Sequence, residues 1–180
     1  MVLDIIKTHE PWKSAEIKRN LEENKEAYSS GLKMAKLYVE DRINHSLEIK
    51  QMLDDGYFVF CDRYKMSTCA YQWTQGIDLY RLFKMHQDDR ILTPDLTLFI
   101  DVSAEIAQER RANRNSEKEK FEDWKFQKDL INHYNSLIDR KDCREIFGLV
   151  SVVNGRGSIE EAARRVKNEF MPVYDVWDKS

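Results

Sequence analysis

Short apolar runs alternate along the chain with longer charged segments in which apolar residues recur at helical spacing. The runs cover residues 2–7, 57–61, 96–102 and 147–153 and are rich in Val, Ile and Phe. Runs of this length and composition are typical of strands that are buried on both faces of a parallel sheet. We therefore expect four such strands.

The longer segments predict the helices that connect these strands. They cover residues 14–27, 31–53, 68–86, 103–114, 121–139 and 158–170. In the last segment Ser158 precedes Glu161 by three residues, the spacing of a capping box at a helix N-terminus. Strands that alternate with helices predict an open α/β fold, a parallel β-sheet layered between helices. No linker-like stretch divides residues 1–180, which are expected to form a single domain.

The composition is that of a globular protein rich in charge. Of the 180 residues, 42% are hydrophobic and 34% are charged, and the net charge of -3 argues against a general nucleic-acid-binding protein. Cys61, Cys69 and Cys143 show no CxxC spacing, which favours a reducing compartment over a disulfide framework. The chain has neither a signal-like core nor an apolar run that could cross a bilayer, so we expect a cytoplasmic protein without a membrane partner.

Polar side chains follow three of the predicted strands. Because ligands of open α/β sheets bind at the carboxyl ends of the strands, we expect Asp62, Asp101 and Asn154 on one edge. There Arg63 offers a planar fork of donors that suits a phosphate, and Asp62 can orient it or accept from water around a Mg²⁺ ion. On the dipeptide alone, a structural ion pair that closes the strand end is the favoured interpretation.

Three further polar or aromatic side chains come directly after this pair. Ser67 and Tyr71 share one helix face at i, i+4, and Gln72 follows. A carboxamide can pair with the edge of a nucleobase, and a tyrosine can pack on its ring. Core packing of Tyr71 explains that residue equally well.

The segment KLYVEDRINHSLEIKQMLDDGYFVFCDRYKMSTCAYQ resembles the thymidylate kinases, which phosphorylate dTMP to dTDP with ATP and magnesium. The family has an aromatic residue followed by a [DN]-R pair on a long helix, matched by Tyr38, Asp41 and Arg42. It then has a strand followed by D-R-[YFH]-x-x-S-x-x-A-[YF]-Q, which is matched at seven positions. These are Asp62, Arg63, Tyr64, Ser67, Ala70, Tyr71 and Gln72.

Other segments resemble the family in the same order. THEPWKSAEIKRNL resembles the loop that contacts dTMP, and TPDLTLFIDVSAEIAQERRANR resembles the strand and helix that lead into the lid. VVNGRGS lies where the last strand and the adenine-side loop would be. The resemblance thus covers nearly the whole chain, and it implies a P-loop kinase-like fold with a lid at roughly residues 110–120.

On the acceptor side, the resemblance implies that Tyr38 stacks on thymine and that Arg42 and Arg63 hold the dTMP phosphate. The other residues that it places around the nucleotide are Glu10, Pro11, Ser67, Tyr71 and Gln72.

On the donor side, Arg110 and Arg114 would bring positive charge from the lid, with Arg111 as an alternative. The residues expected near the adenine of ATP are Asn154, Gly155 and Arg156. Because the acceptor is already a phosphate dianion, no strong general base is required. Asp62 is therefore expected to orient Arg63 and a water of the Mg²⁺ ion rather than to take a proton.

One motif of the family is missing. Thymidylate kinases begin with a strand and G-x-x-x-x-G-K-[ST], which cradles the ATP phosphates, and no such motif occurs in the 180 residues. Our leading hypothesis is that the sequence starts downstream of the true beginning. Two alternatives stay open beside an active dTMP kinase: a non-catalytic dTMP-binding or regulatory protein, and a related deoxynucleoside kinase. The resemblance also implies a homodimer, with the helix at residues 31–53 as the candidate contact.

Overall fold

The computed structural model describes residues 4–23, 31–112 and 124–177. The chain divides into two compact units, residues 1–92 and 93–180. Each unit contains a pair of parallel strands with flanking helices, which confirms the α/β class. No helix in the described ranges combines the length and the apolar character that are needed to cross a bilayer.

The first unit contains two strands and four helices among its described residues. They are β1 (Ile5–His9), α1 (Ala15–Glu23), α2 (Gly31–Asp54), β2 (Phe58–Asp62), α3 (Lys65–Thr74) and α4 (Leu79–His86). In the parallel pairing Ile5 lies opposite Phe58 and His9 lies opposite Asp62. The loop after β1 and the turn after β2 therefore leave the sheet at the same end.

Helix α2 has a buried face of mixed chemistry. Near its start it buries Met34 and Ala35, whereas its middle buries Asp41, Arg42 and His45. Charged side chains are seldom fully buried unless they are paired. The middle of α2 must therefore meet partners from other elements.

The segment predicted as one helix over residues 68–86 is two helices, so this prediction is wrong. Gly76 follows α3 with φ at 86°, a left-handed conformation that suits glycine and ends a helix. Asp78 then caps α4, because its side chain accepts a hydrogen bond from the backbone N–H of Arg81 at 2.9 Å.

The second unit contains the remaining elements. They are β3 (Leu96–Asp101), α5 (Ala104–Ala112), α6 (Trp124–Ile138), a 3-10 turn (Lys141–Cys143), α7 (Arg144–Phe147), β4 (Leu149–Asn154) and α8 (Ile159–Trp177). Strand β4 begins later than predicted, because α7 and Gly148 precede it. A Cβ on Gly148, whose φ is 68°, would lie 1.8 Å from the carbonyl oxygen of Pro94.

The capping box at the start of α8 is confirmed. The backbone N–H of Ser158 donates to Oε2 of Glu161 at 2.9 Å, and the N–H of Glu161 donates to Oγ of Ser158 at 3.2 Å. Both bonds satisfy donors that the first turn of a helix leaves unpaired.

The strands differ from the prediction in their burial. Ile5, Ile100 and Val152 are 43%, 42% and 49% exposed, so burial on both strand faces is wrong for the described residues. The described strands form two sheets of two strands each, in which every strand has one neighbour. Asp101 and Asn154 are paired at the ends of β3 and β4. Because Asp62 belongs to the other unit, a shared edge of all three stays a prediction.

Candidate functional site

The loop after β1 is held against helix α2 by hydrogen bonds to a buried carboxylate of that helix. Oδ1 of Asp41 accepts from the backbone N–H of Lys13 at 3.0 Å, and Oδ2 accepts from that of Trp12 at 2.5 Å. The indole N–H of Trp12 also donates to Glu48 at 2.9 Å. Glu10 lies in the same loop and is 5% exposed, and the Glu10–Pro11 peptide bond is cis.

Glu10 and Arg42 form a buried ion pair. Oε2 of Glu10 accepts from Nε of Arg42 at 2.9 Å and from Nη2 at 2.5 Å. The other oxygen, Oε1, lies 3.2 Å from Nδ1 of His45. The side chains of Arg42 and Glu10 are 1% and 2% exposed. Two opposite charges from separate elements thus neutralise each other away from water.

The remaining contacts of Arg42 come from α3 and α4. Nη2 donates to Oγ1 of Thr68 at 2.9 Å, and Nη1 lies 2.7 Å from Nε2 of His86. Of the five N–H hydrogens of a guanidinium, four are therefore engaged by described residues. One hydrogen on Nη1 is left for a further acceptor.

The ring of Tyr64 supports the face of this guanidinium, whose carbon lies 4.9 Å from the ring centroid. The Tyr64 hydroxyl donates to the carbonyl oxygen of Leu92 at 3.1 Å and lies 2.9 Å from Oγ of Ser46. Burial raises the pKa of the Tyr64 phenol to about 12. The phenol is therefore neutral at physiological pH and available as a hydrogen-bond donor.

Arg63 differs from Arg42 in exposure and in backbone. Its side chain is exposed at the end of β2, and its guanidinium carbon lies 5.6 Å from the centroid of the Tyr71 ring. Its φ is 64°, which is unusual for a residue with a side chain and costs about 1–2 kcal/mol. The turn from β2 into α3 thus places an arginine where glycine would fit more easily.

Tyr38 belongs to the same surroundings. Burial raises the pKa of the Tyr38 phenol, while the positive charges of Arg63 and Arg42 oppose that rise and the nearby Tyr71 adds to it. Two tyrosines and two arginines from α2, α3 and the end of β2 are thus close enough to influence one another. Aromatic faces beside guanidinium groups suit a flat ring that carries a phosphate.

Gln72 contributes a buried amide to this region. It is 3% exposed and lies one turn after Thr68 on α3, and its Nε2 is 3.5 Å from Oε1 of Gln75. Its own Oε1 is buried and accepts no hydrogen bond from the described part of the chain. An unsatisfied buried acceptor costs about 1–3 kcal/mol, so a ligand that donates to it would bind favourably.

Glu10, His45 and Cys61 place three metal-ligand atoms within 4.8 Å of one another. Glu10 already contacts Arg42 and His45, and the thiol of Cys61 donates to the carbonyl oxygen of Arg63 at 3.0 Å. Burial raises the pKa of the Cys61 thiol to about 12, which disfavours the thiolate. Hydrogen bonds within the protein thus engage Glu10, Cys61 and Nδ1 of His45, whereas Nε2 of His45 is buried and has no hydrogen-bond partner among the described residues.

In the second unit, two arginines hold the loop that follows β4. Nη2 of Arg110 donates to the carbonyl oxygens of Gly155 and Gly157 at 2.9 and 3.0 Å. Nη1 of Arg165 donates to those of Asn154 and Arg156 at 2.9 and 2.6 Å. Four successive carbonyl groups are thus bound by two side chains, which fixes the path of this loop.

The predicted donor-side residues meet within this unit only in part. Oδ1 of Asn154 accepts from the backbone N–H of Arg156 at 2.9 Å. A Cβ on Gly155 would lie 2.7 Å from side-chain carbons of both Ile100 and Val102, so the glycine is required for packing at the end of β3. A role of these residues in binding adenine stays a prediction.

The predicted lid falls mainly outside the described residues. Arg114 and residues 113–120 lie there, and the side chain of Arg111 is likewise not described. Arg110 is described and contacts the loop after β4. Its catalytic role, like that of Arg114, stays a prediction.

Known proteins of one family are similar to this chain. The sequence profile named "Thymidylate kinase" matches residues 3–164. A probable thymidylate kinase of Methanococcus maripaludis strain C7 is 35% identical over 140 residues, which are 77% of this chain and 68% of that protein. One of Staphylothermus marinus is 32% identical, covering 74% and 66% of the two chains. The chain belongs to the thymidylate kinase family.

A thymidylate kinase of Brachyspira hyodysenteriae shows how far the likeness extends. It is 29% identical over 127 residues, which cover 63% of this chain and 62% of that one. The matched segments thus span about two thirds of the length of these relatives.

Membership of the thymidylate kinase family implies ATP as phosphoryl donor and Mg²⁺ as its companion ion. Asp62 is exposed at the end of β2 and offers carboxylate oxygens, which are the ligands that Mg²⁺ prefers. The residue therefore fits an ion that is held through water. Glu10, the other predicted acidic residue of the site, is already neutralised by Arg42.

Motif matching missed two residues of the site, Thr68 and His86. His86 carries a sequence signal, because it continues the apolar stripe of α4 formed by Leu79, Leu82 and Phe83 at i, i+3, i+4 and i+7. A histidine on a buried stripe needs a polar partner. That partner is Arg42, which is distant in sequence, so the thymidylate kinase motif alone could not identify it.

Proposed function

We propose that this protein binds dTMP and transfers the terminal phosphoryl group of ATP to it, giving ADP and dTDP. Its family supports a nucleoside-monophosphate kinase in general terms. The choice of dTMP rests above all on one observation, the buried and unpartnered Oε1 of Gln72. The chain covers about two thirds of its relatives, so the complete reaction is part of the proposal.

The preference for thymine rests on the hydrogen-bond donors and acceptors that the protein and the base present to each other. Thymine presents one ring N–H between two carbonyl oxygens, whereas cytosine presents an acceptor nitrogen and an amino group at the same edge. Oε1 of Gln72 requires a donor, and the remaining Nη1–H of Arg42 requires an acceptor. The thymine edge supplies both. Uracil has the same edge, so this pairing favours dTMP over dCMP but not over dUMP.

The phosphate is best assigned to Arg63. A guanidinium can bind a phosphate through two parallel N–H···O hydrogen bonds. Described residues engage four of the five N–H hydrogens of Arg42. To bind a phosphate through two hydrogen bonds, Arg42 would therefore have to break its ion pair with Glu10. Arg63 is exposed beside Tyr71. The proposed pocket thus contains a base side with Arg42 and Gln72, a stacking side with Tyr38, and a phosphate side with Arg63.

The residues of this pocket suit phosphoryl transfer without a general base. Because the attacking group is already ionised, the protein has to bring two phosphates together and stabilise negative charge. Arg63 performs this for the acceptor, and Asp62 would hold Mg²⁺ through water. The ion, when bound, neutralises charge on the donor phosphates. Asn154, Gly155 and Arg156 remain our candidates for the adenine side.

The test combines nucleotide binding and turnover for residues 1–180. Calorimetry should detect dTMP binding that is stronger than dCMP binding, and ADP release with ATP should depend on dTMP. Arg63→Ala should weaken dTMP binding about tenfold or more, because two charge-assisted hydrogen bonds to the phosphate are lost. Arg90→Ala is the matched control, since Arg90 is exposed and pairs with Asp88 in the same unit.

Each result separates the proposal from its rivals. Phosphoryl transfer to dTMP by residues 1–180 would contradict a dTMP-binding or regulatory protein, which binds dTMP without turnover. Turnover of thymidine in preference to dTMP would favour a deoxynucleoside kinase. Absence of dTMP binding, or equal affinities of wild type and Arg63→Ala, would contradict the assigned site. A homodimer through α2 and a cytoplasmic location remain predictions from the sequence.

A further inference from the structure

The two ring nitrogens of His86 have partners that determine its hydrogen positions. Nδ1 lies 2.7 Å from the carbonyl oxygen of Leu82, and Nε2 lies 2.7 Å from Nη1 of Arg42. A carbonyl oxygen can only accept, and a guanidinium can only donate. His86 therefore carries its hydrogen on Nδ1 and presents the lone pair of Nε2 to Arg42.

The surroundings of His86 keep the imidazole neutral. The residue is 1% exposed, and burial together with the charges of Arg42 and Lys65 lowers the pKa of its ring to about 3. From α3, the thiol of Cys69 lies 3.8 Å from Nδ1. The nearby carboxylate, Glu10, is bound to the far edge of Arg42. The Nε2 acceptor is therefore present at every pH at which the enzyme would work.

The other contacts of Arg42 leave one edge of the guanidinium for His86 to fix. Glu10 binds Nε and Nη2, and Thr68 binds Nη2 as well. Nη1 is held by His86. Without this acceptor, both N–H groups of Nη1 would lack partners among the described residues, and the guanidinium could tilt about its Glu10 edge to satisfy them.

We propose that His86 is a positioning residue of the acceptor site. By accepting one hydrogen of Nη1, it aims the other hydrogen of Arg42 at a carbonyl oxygen of the thymine base. This inference rests on the proposed dTMP function. It adds that the preference for the base depends on a histidine that itself has no contact with the nucleotide.

Two substitutions separate the two ring nitrogens. In His86→Gln, the amide oxygen can occupy the place of Nε2 and still accept from Arg42. In His86→Asn, the shorter amide can occupy the place of Nδ1 and donate to Leu82, but it does not reach Arg42. The pair thus differs in the proposed contact while both variants remain polar at one buried position.

Affinities for dTMP and dCMP, measured by calorimetry on residues 1–180, test the proposal. We expect His86→Asn to weaken dTMP binding about tenfold and to leave dCMP binding nearly unchanged, because one aimed hydrogen bond to the base is lost. His86→Gln should retain most of the wild-type ratio. A general loss of structure would instead weaken both nucleotides equally.

Three outcomes would overturn the inference. Equal dTMP affinities of wild type and His86→Asn would overturn the positioning role and leave the proposed function intact. An equal loss of dTMP and dCMP binding in both variants would show that His86 supports the fold only. Absence of dTMP binding by the wild-type chain would overturn the proposed function and, with it, this role of His86.

Discussion

Both units use arginines to fix the segments that follow their strands, but they do so in opposite ways. In the first unit Arg42 is 1% exposed and is bound by the side chains of Glu10, Thr68 and His86. In the second unit Arg110 and Arg165 are half-buried, and their hydrogen bonds within the described ranges go to backbone carbonyl oxygens of one loop.

This difference determines which substitutions each unit tolerates. A buried charge that loses its partner remains uncompensated, so every residue around Arg42 matters. A backbone carbonyl is present whatever the side chain is, so these hydrogen bonds depend on the side chains of the two arginines alone. A half-buried guanidinium that loses an acceptor can also turn to water.

The largest effect is expected for Glu10→Gln. This change keeps the shape of the side chain but leaves the buried Arg42 without its counter-charge, which should lower the free energy of unfolding by about 3–5 kcal/mol. Urea denaturation measures it. The matched control is Glu48→Gln, because the Lys13–Glu48 pair is 65% and 35% exposed and should contribute less than about 1 kcal/mol. Equal losses in the two variants would contradict the larger contribution that is expected of the buried ion pair.

A pH-dependent loss of stability comes next. Unfolded histidine binds a proton near its ordinary pKa of 6.5, whereas burial lowers the pKa of folded His86 to about 3. The stability that neutral His86 contributes is therefore fully present above pH 6.5. As the pH falls from 6.5 toward 3, the free energy of unfolding should decrease by up to about 1.4 kcal/mol per pH unit. Unfolding free energies measured between pH 7 and 4 for wild type, His86→Gln and the exposed control His9→Gln check this. The same pH dependence of the unfolding free energy in wild type and His86→Gln would contradict this role of His86.

The smallest effect is expected for Arg165→Ala. Two hydrogen bonds to the loop are lost, but the acceptors can turn to water, so the free energy of unfolding should fall by about 1–2 kcal/mol. Thermal or urea unfolding measures the change, with the neighbouring exposed Arg164→Ala as the control. A loss as large as that of Glu10→Gln would mean that the loop is held as tightly as the buried pair.

The elements of the fold were largely accessible from the sequence. Periodicity located each strand and most helices, and the spacing of Ser158 and Glu161 predicted the start of α8. The helical pattern does not predict the break between α3 and α4, because it continues across Gly76, which ends α3, and Asp78, which caps α4. The local sequence pattern thus predicts where helices and strands lie better than it predicts the residues at which they begin and end.

The site was accessible only through its motif. Arg42 and Glu10 were each identified, but nothing local indicates that residues 32 positions apart pair with each other. The motif predicts that this arginine holds a phosphate, and it gives no sign that partners in the described part of the chain engage four of its five N–H hydrogens. Pairing across helices depends on tertiary packing, which the sequence pattern does not specify.

The backbone of Arg63 has an evolutionary consequence. Its left-handed φ of 64° imposes a standing cost on stability, which Gly or Asn at this position would lower. Drift should therefore remove the arginine unless selection for its side chain continues. Descendants that no longer use a nucleotide would be expected to carry Gly or Asn at position 63, which makes this residue a marker of retained function.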